Sequence, residues 1–271
     1  MKVKLFVVWI FMSIDTFAVA QEFPLGIRAQ ALGGASVARG REAEAMLDNP
    51  ASLSNLNGST FTVFYSHPFG LKELRLSSFS GSASYANFAF GAALVDLGHA
   101  LYRDRRYYMA LARNFLSTRK LTIGMSASLR HLRISGYGDD SAMLFNLGTQ
   151  FRLSESLRLG SALTNIFDAA IGQQQEKLPA NVCFGLAYSP GTTLTLQMDV
   201  YKQNDFPEEW RLGIEANPVS PLLLRVGVGT NPDRLTCGFA LRVFKFSLQF
   251  AAFSHTDLGW TEQFAVTLVS R

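Results

Sequence analysis

Leu121-Thr122-Ile123-Gly124-Met125-Ser126-Ala127-Ser128-Leu129-Arg130 alternates between two kinds of side chain. Leu121, Ile123, Met125, Ala127 and Leu129 are apolar, while the residues between them are small or polar, ending in Arg130. Successive side chains of an extended backbone point to opposite faces, so this stretch reads as a strand with one greasy face and one face of little polar groups. The same two-residue rhythm recurs through Met143–Phe151, Val182–Tyr188, Leu194–Val200, Trp210–Ile214, Leu222–Val228 and Phe244–Phe250. Less regular runs lie near Phe61, Leu74, Phe88, Met109, Leu159, Phe239 and Phe264, which brings the expected number of strands to about fourteen. Turn residues separate the runs: His67-Pro68-Phe69-Gly70, Gly136 to Asp140, Ser189-Pro190-Gly191, Asn217-Pro218 and Asn231-Pro232-Asp233.

Alternation alone fits a soluble sandwich as well as a membrane barrel, and the polar face separates them. A solvated face is usually rich in Lys and Glu, whereas here it is Gly, Ala, Ser, Thr and Asn with an occasional Arg, as a narrow lumen requires. The apolar face carries almost no mid-strand charge, which lipid contact demands because a midplane Arg or Lys costs about 2–4 kcal/mol. Tyr107, Phe151, Tyr188, Trp210 and Phe244 sit near run ends, where aromatic girdles would lie. Only 17% of the 271 residues are charged, against about 25% in ordinary soluble domains. No stretch after the start approaches the roughly 18 apolar residues of a membrane helix, so strands would have to cross. The fold class expected is all-β: a closed antiparallel transmembrane β-barrel of about fourteen strands with a short N-terminal helical or plug segment.

The beginning reads as an export leader over residues 1–20, with Lys2 and Lys4, the apolar run Leu5 to Met12 and Ala18-Val19-Ala20 before Gln21. Residues 21–57 form an N-terminal segment and 58–271 the barrel. The bacterial outer membrane is then the expected location, with its lipid as the immediate partner. Cys183 and Cys237 lie on opposite kinds of face and are expected as two unpaired, buried thiols.

Residues 21–53 break the alternation. They contain Gly26-Ile27-Arg28-Ala29-Gln30-Ala31-Leu32-Gly33-Gly34-Ala35-Ser36-Val37-Ala38, a helix-prone piece from Glu42 to Leu47, and Asn49-Pro50-Ala51-Ser52-Leu53. This order resembles the N-terminal signature of the PorV/PorQ family of outer-membrane proteins, distant relatives of the FadL transporters. Leu178-Pro179-Ala180-Asn181-Val182 with Gly185-Leu186-Ala187-Tyr188, and Phe246 to Leu268 with Leu258-Gly259-Trp260-Thr261, are similar to later segments of that family. Asp48 stands where the family usually has Trp, and the chain closes on Ser270-Arg271 rather than an aromatic residue. The resemblance implies transport of hydrophobic or anionic solutes, or an accessory role in a type IX-like secretion apparatus with its components as partners. A blocked barrel that docks a partner is the alternative, followed by an outer-membrane hydrolase.

Gly33 and Gly34 permit close backbone approach, and Pro50 restricts Asn49 and ends the helical turn. Two readings of these four residues stand side by side: a gating or plugging segment, or a first strand with a helical connector. The inward-facing charges Arg130, Arg158, Arg211, Arg225 and Arg242, joined by Arg75, Arg152 and Lys245, outnumber Asp199 and Glu215, so an open lumen would favour anions. Several of these cations fall at strand ends or can pair with the two acids. No phosphate loop, zinc spacing or nucleophile elbow occurs, and Gly227-Val228-Gly229 has no helix after it, so no catalytic residue, metal, cofactor or nucleic-acid partner is expected. His67, His99, His131 and His255 stand singly near turns. His131 with Asp139 or Asp140 is the nearest approach to a hydrolytic grouping.

Overall fold

A computed structural model of the chain describes residues 25–56, 58–71, 73–115, 120–255 and 258–270. The expected leader, residues 1–20, lies outside the described residues. No helix among them is long and apolar enough to cross a membrane.

Fourteen strands close into one antiparallel barrel. Seven come first: β1 (Ser59–Ser66), β2 (Arg75–Tyr85), β3 (Phe88–Gly98), β4 (Tyr102–Phe115), β5 (Leu121–Ile134), β6 (Gly138–Arg152) and β7 (Leu157–Thr164). A small hairpin of β8 (Ala170–Ile171) and β9 (Glu176–Lys177) interrupts the meander. The wall resumes with β10 (Asn181–Tyr188), β11 (Leu194–Gln203), β12 (Glu209–Val219), β13 (Leu222–Gly229), β14 (Arg234–Val243), β15 (Phe246–His255) and β16 (Gly259–Ser270). Each wall strand pairs with its neighbour in the wall, β7 pairs directly with β10, and β16 closes on β1, so the barrel wall has no unpaired edge among the described residues. One end of the barrel carries tight turns such as Ala86-Asn87 and Phe244-Lys245 together with the start of β1 and the end of β16. The other carries the longer loops, including the β8–β9 excursion. We call these the turn end and the loop end.

Burial follows the alternation read from the sequence, buried and exposed by turns along β1 and β10. Phe61, Val63, Phe79, Phe90, Met109, Met125, Phe184, Ile214, Val226 and Leu248 are exposed on the outer wall, whereas Ser80, Thr62, Thr236 and Ala240 are buried inside. The girdle reading holds for Phe151 and Tyr188 towards the turn end and for Trp210 towards the loop end, all exposed. Phe244 is fully exposed in the β14–β15 turn at φ 55°, and its strand begins two residues later, at Phe246. Asn217-Pro218 is also not a turn. β12 continues through it to Val219 with a register shift between Ala216 and Val219, because Pro218 offers no N–H to the ladder and the strand bulges around it. Both cysteines are free, but only Cys183 is buried. Cys237 is exposed on the outer wall, because the apolar face of its strand looks outward rather than into a protein core.

Candidate functional site: the occupied lumen

Residues 25–56 lie inside the barrel and are buried almost throughout. The segment begins with helix α1 (Ile27–Ala31), turns through Gly33 and Gly34, and continues through two 3₁₀ turns, Ala43–Leu47 and Pro50–Asn55. Its two sides meet different walls. Ile27, Ala31, Met46, Leu53 and Leu56 pack with Phe64, Leu76, Ala89, Ala93 and Val95 in an apolar cluster against β1–β4. The opposite side is held by polar groups of β6, β7 and β11–β14.

The strongest of these contacts centre on Glu215. Its carboxylate accepts from Arg28 Nε at 2.9 Å and Nη2 at 3.1 Å, and from Arg225 Nε at 2.9 Å. Arg225 also donates to Gln249 Oε1 at 2.8 Å and reaches Glu42 Oε1 at 3.3 Å. Asp199, wholly buried, accepts the backbone N–H groups of Ser36 and Val37 at 2.8 and 3.0 Å. Glu215 is tolerated in the interior because it is paired and hydrogen-bonded across the segment–wall interface, whereas Asp199 is held by two backbone N–H groups on one oxygen, its other oxygen buried without a partner.

Gly33 and Gly34 adopt φ of 68° and 91°, the left-handed region that glycine enters without strain. The Gly33 N–H donates to Thr236 Oγ1 at 2.9 Å and its carbonyl accepts from Arg234 Nη2 at 3.0 Å. The wall opposite is Gly227, where a Cβ would collide with the Gly33 backbone, so glycine faces glycine at the closest approach. Asn49 is the second such point. Its Nδ2 donates to the carbonyls of Val37, Thr149 and Ser161 at 2.8, 3.2 and 3.3 Å, while its Oδ1 accepts the Ala51 N–H at 2.9 Å and caps the turn begun by Pro50. A Cβ on Gly148 would strike the Asn49 amide.

The inward cations named from the sequence have separate fates. Arg130 donates to Asp104 at 2.8 Å, with Arg106 on the same carboxylate at 3.1 Å. Arg211 donates to Glu209 Oε2 at 2.8 Å, with its guanidinium 3.9 Å from the Tyr201 ring centroid, and Arg234 binds the other Glu209 oxygen. Arg158 Nη1 donates to Asn55 Oδ1 at 2.8 Å. Arg242 and Arg75 stand exposed at opposite ends, and Lys245 lies in the β14–β15 turn. The acids that balance the wall were undercounted in the sequence: Asp104, Glu209 and Glu42 act beside Asp199 and Glu215. The signal was present, since Asp104 shares the parity of Arg106 and Glu209 that of Arg211.

Above the segment, towards the loop end, a cup of about 90 Å3 has a mixed lining in which Leu25, Val37, Leu47, Tyr108 and Leu144 alternate with polar groups that include Asp48, Arg106, Arg130 and Asn146. The β8–β9 excursion folds against β6 here. Asn165 donates to the Leu178 carbonyl at 2.9 Å and takes the Ala169 N–H at 2.8 Å, while Ile171 and Leu178 pack on Ala142.

His131 does meet a serine: Nδ1 lies 2.9 Å from Ser141 Oγ, and Nε2 lies 4.0 Å from Asp139 Oδ2. The group sits at the loop end of the barrel, away from the cup. The Ser141 N–H donates to Asp140 Oδ1 at 2.7 Å, so it is not available to hold an oxyanion.

No protein-family model and no curated protein matches the chain. Solved structures do. The Ralstonia pickettii toluene transporter TbuX aligns with 14% identity and a TM-score of 0.66, covering 91% of this chain and 98% of that one. The P. putida toluene transporter TodX gives 13%, 0.65, 91% and 98%, and a Pseudomonas aeruginosa FadL homologue 11%, 0.63, 89% and 97%. The chain has the fold of the FadL-type barrels. Two of these neighbours are toluene transporters, and at such low identity the likeness is one of architecture.

Proposed function

We propose that the chain is an exported bacterial outer-membrane channel for small hydrophobic solutes, with residues 25–56 as a plug that gates it. The observation that carries this reading is the occupied lumen: a segment held by apolar packing on one side and polar contacts on the other lies directly beneath a cup whose lining mixes apolar and polar side chains. A solute entering from the loop end would partition into that cup from water, gaining roughly 25 cal/mol per Å2 of apolar surface buried. Onward movement would require the plug to shift. The toluene transporters of the same fold make a monoaromatic hydrocarbon the first solute to try.

Heat-modifiable migration together with membrane fractionation tests barrel and location. Uptake of radiolabelled toluene by intact cells with and without the chain tests passage. An inserted barrel that adds nothing to uptake would refute the channel.

A second reading is a permanently blocked barrel serving a partner in a type IX-like apparatus, and the PorV/PorQ-like order of the plug residues together with the complete burial of Asn49 favours it. It predicts that loosening the plug leaves uptake unchanged while export of substrate proteins fails.

A further inference from the structure

At the turn end, beneath the plug, lies a second cavity of about 280 Å3, and its chemistry differs from that of the cup. Arg39 and Arg41 enter it from the plug, Lys120 from the β4–β5 connection, and Arg152 and Arg158 from the wall. Arg152 and Arg158 are direct cross-strand partners between β6 and β7, a like-charge pairing that is unfavourable on its own. The acid beside them is Glu155, 3.8 Å from Arg152 Nη1 and almost fully exposed, and Glu42 is already engaged by Arg28 and Arg225. Arg158 is not a loose surface cation. Asn55 Oδ1 holds its Nη1, Gln150 in turn accepts from the Asn55 amide at 2.8 Å, and the Arg158 Nε–H is buried with no acceptor. Arg39 is likewise oriented, through a hydrogen bond to Ser189 Oγ. A buried donor without an acceptor, with two of the four surrounding guanidiniums held in place by hydrogen bonds, is a costly arrangement for an empty cavity.

We propose that this cavity binds a phosphate group, held between Arg39 and Arg41 of the plug and Arg152 and Arg158 of the wall. A phosphate presents several negative oxygens at once, which suits converging guanidinium forks. Because the two pairs of arginines belong to different parts of the molecule, bound phosphate favours the seated plug, and by linkage unseating the plug weakens phosphate binding. The phosphate can come from a solute free in the aqueous phase or from a lipid headgroup at the rim. The inference goes beyond the channel reading and does not depend on what passes the barrel.

The test uses the full chain in neutral detergent at low salt. Titration calorimetry with inorganic phosphate reads the free source, and native mass spectrometry after exposure to phosphatidic acid reads the lipid source. R41Q and R158Q singly, and R41Q/R158Q together, are compared with R113Q, whose side chain lies over Phe88 and Phe115 on the outer wall. Heat-modifiable migration confirms that each variant is folded. Each single change should weaken binding by about tenfold, as expected for one charge-assisted contact, and R113Q should leave it unchanged. Binding of inorganic phosphate identifies a free solute, and retention of phosphatidic acid alone identifies a lipid; both support the site. Absence of both, or binding that survives R41Q/R158Q in a folded barrel, overturns it.

Discussion

Replacing Glu215 by Gln should unseat the plug. The carboxylate accepts three charge-assisted hydrogen bonds, two from Arg28 on the plug and one from Arg225 on the wall, and is 4% exposed. Gln keeps one acceptor oxygen but no charge, which leaves two buried guanidiniums with Glu42 as the acid within reach of both, at 3.8 Å from Arg28 and 3.3 Å from Arg225. Removing one partner of a buried ion pair costs about 3–5 kcal/mol, and with Glu42 still present the lower figure applies. Some 3 kcal/mol corresponds to roughly a hundredfold shift towards the unseated state.

Cys183 reports that shift directly, because it is buried against Val37 of the plug and Ala162 and Tyr201 of the wall. In a C237S background, a water-soluble maleimide should label Cys183 much faster in E215Q, and single-channel conductance should rise. Adding R28M should recover much of the loss, since Arg225 and Glu42 remain as a pair. If E215Q labels at the parental rate and conducts no more, the ion pair does not hold the plug and the gating argument fails.

G227V should have a similar outcome for a steric reason, because its first side-chain carbon already meets the Gly33 backbone; labelling of Cys183 measures it, and the barrel itself should still migrate as folded. Glu44, in the plug, gives a pH dependence. Burial, then the charge of Glu42, raises its pKa from 4.5 to about 8. The seated state therefore keeps a proton that the released segment gives up above the lower value, so seating weakens as pH rises from about 4.5 to 8 and is level beyond. E44Q, which still offers an oxygen to the Ile27 N–H, should flatten that dependence and seat more firmly at pH 8, with Cys183 labelling across pH as the readout. M125R, placed mid-strand on the outer wall where Met125 is 58% exposed, should cost about 2–4 kcal/mol in refolding into lipid vesicles. Unchanged refolding would place that face outside the hydrocarbon.

Much of the wall was legible in the residues. The run around Met125 places its apolar members outward and its small ones inward as alternation requires, and the strand number follows from counting such runs. Parity failed where a turn or a bulge shifted it, at Phe244 and at Asn217-Pro218, and at Arg75, read as inward but sharing the outward parity of Phe79. The small inward face was also legible, but its purpose was not. Glycines such as Gly148 and Gly227 look like residues that merely narrow a bore until Asn49 and Gly33 are seen lying against them.

The alternating order of side chains, together with an inward face of small residues that carries few charges, was therefore sufficient to specify a closed barrel with a greasy exterior, because strand geometry has a period of two and lipid excludes unpaired backbone. Glu209 with Arg211 and Asp104 with Arg106 are local pairs, but the partners that meet between segment and wall are not a local property. Arg28 meets Glu215 across 187 positions of the chain, and Ser36 meets Asp199 across 163. Such pairings exist only once the wall has closed and the plug occupies it, since a buried charge selects its counter-charge by proximity and by the absence of water, and neither is written along the chain.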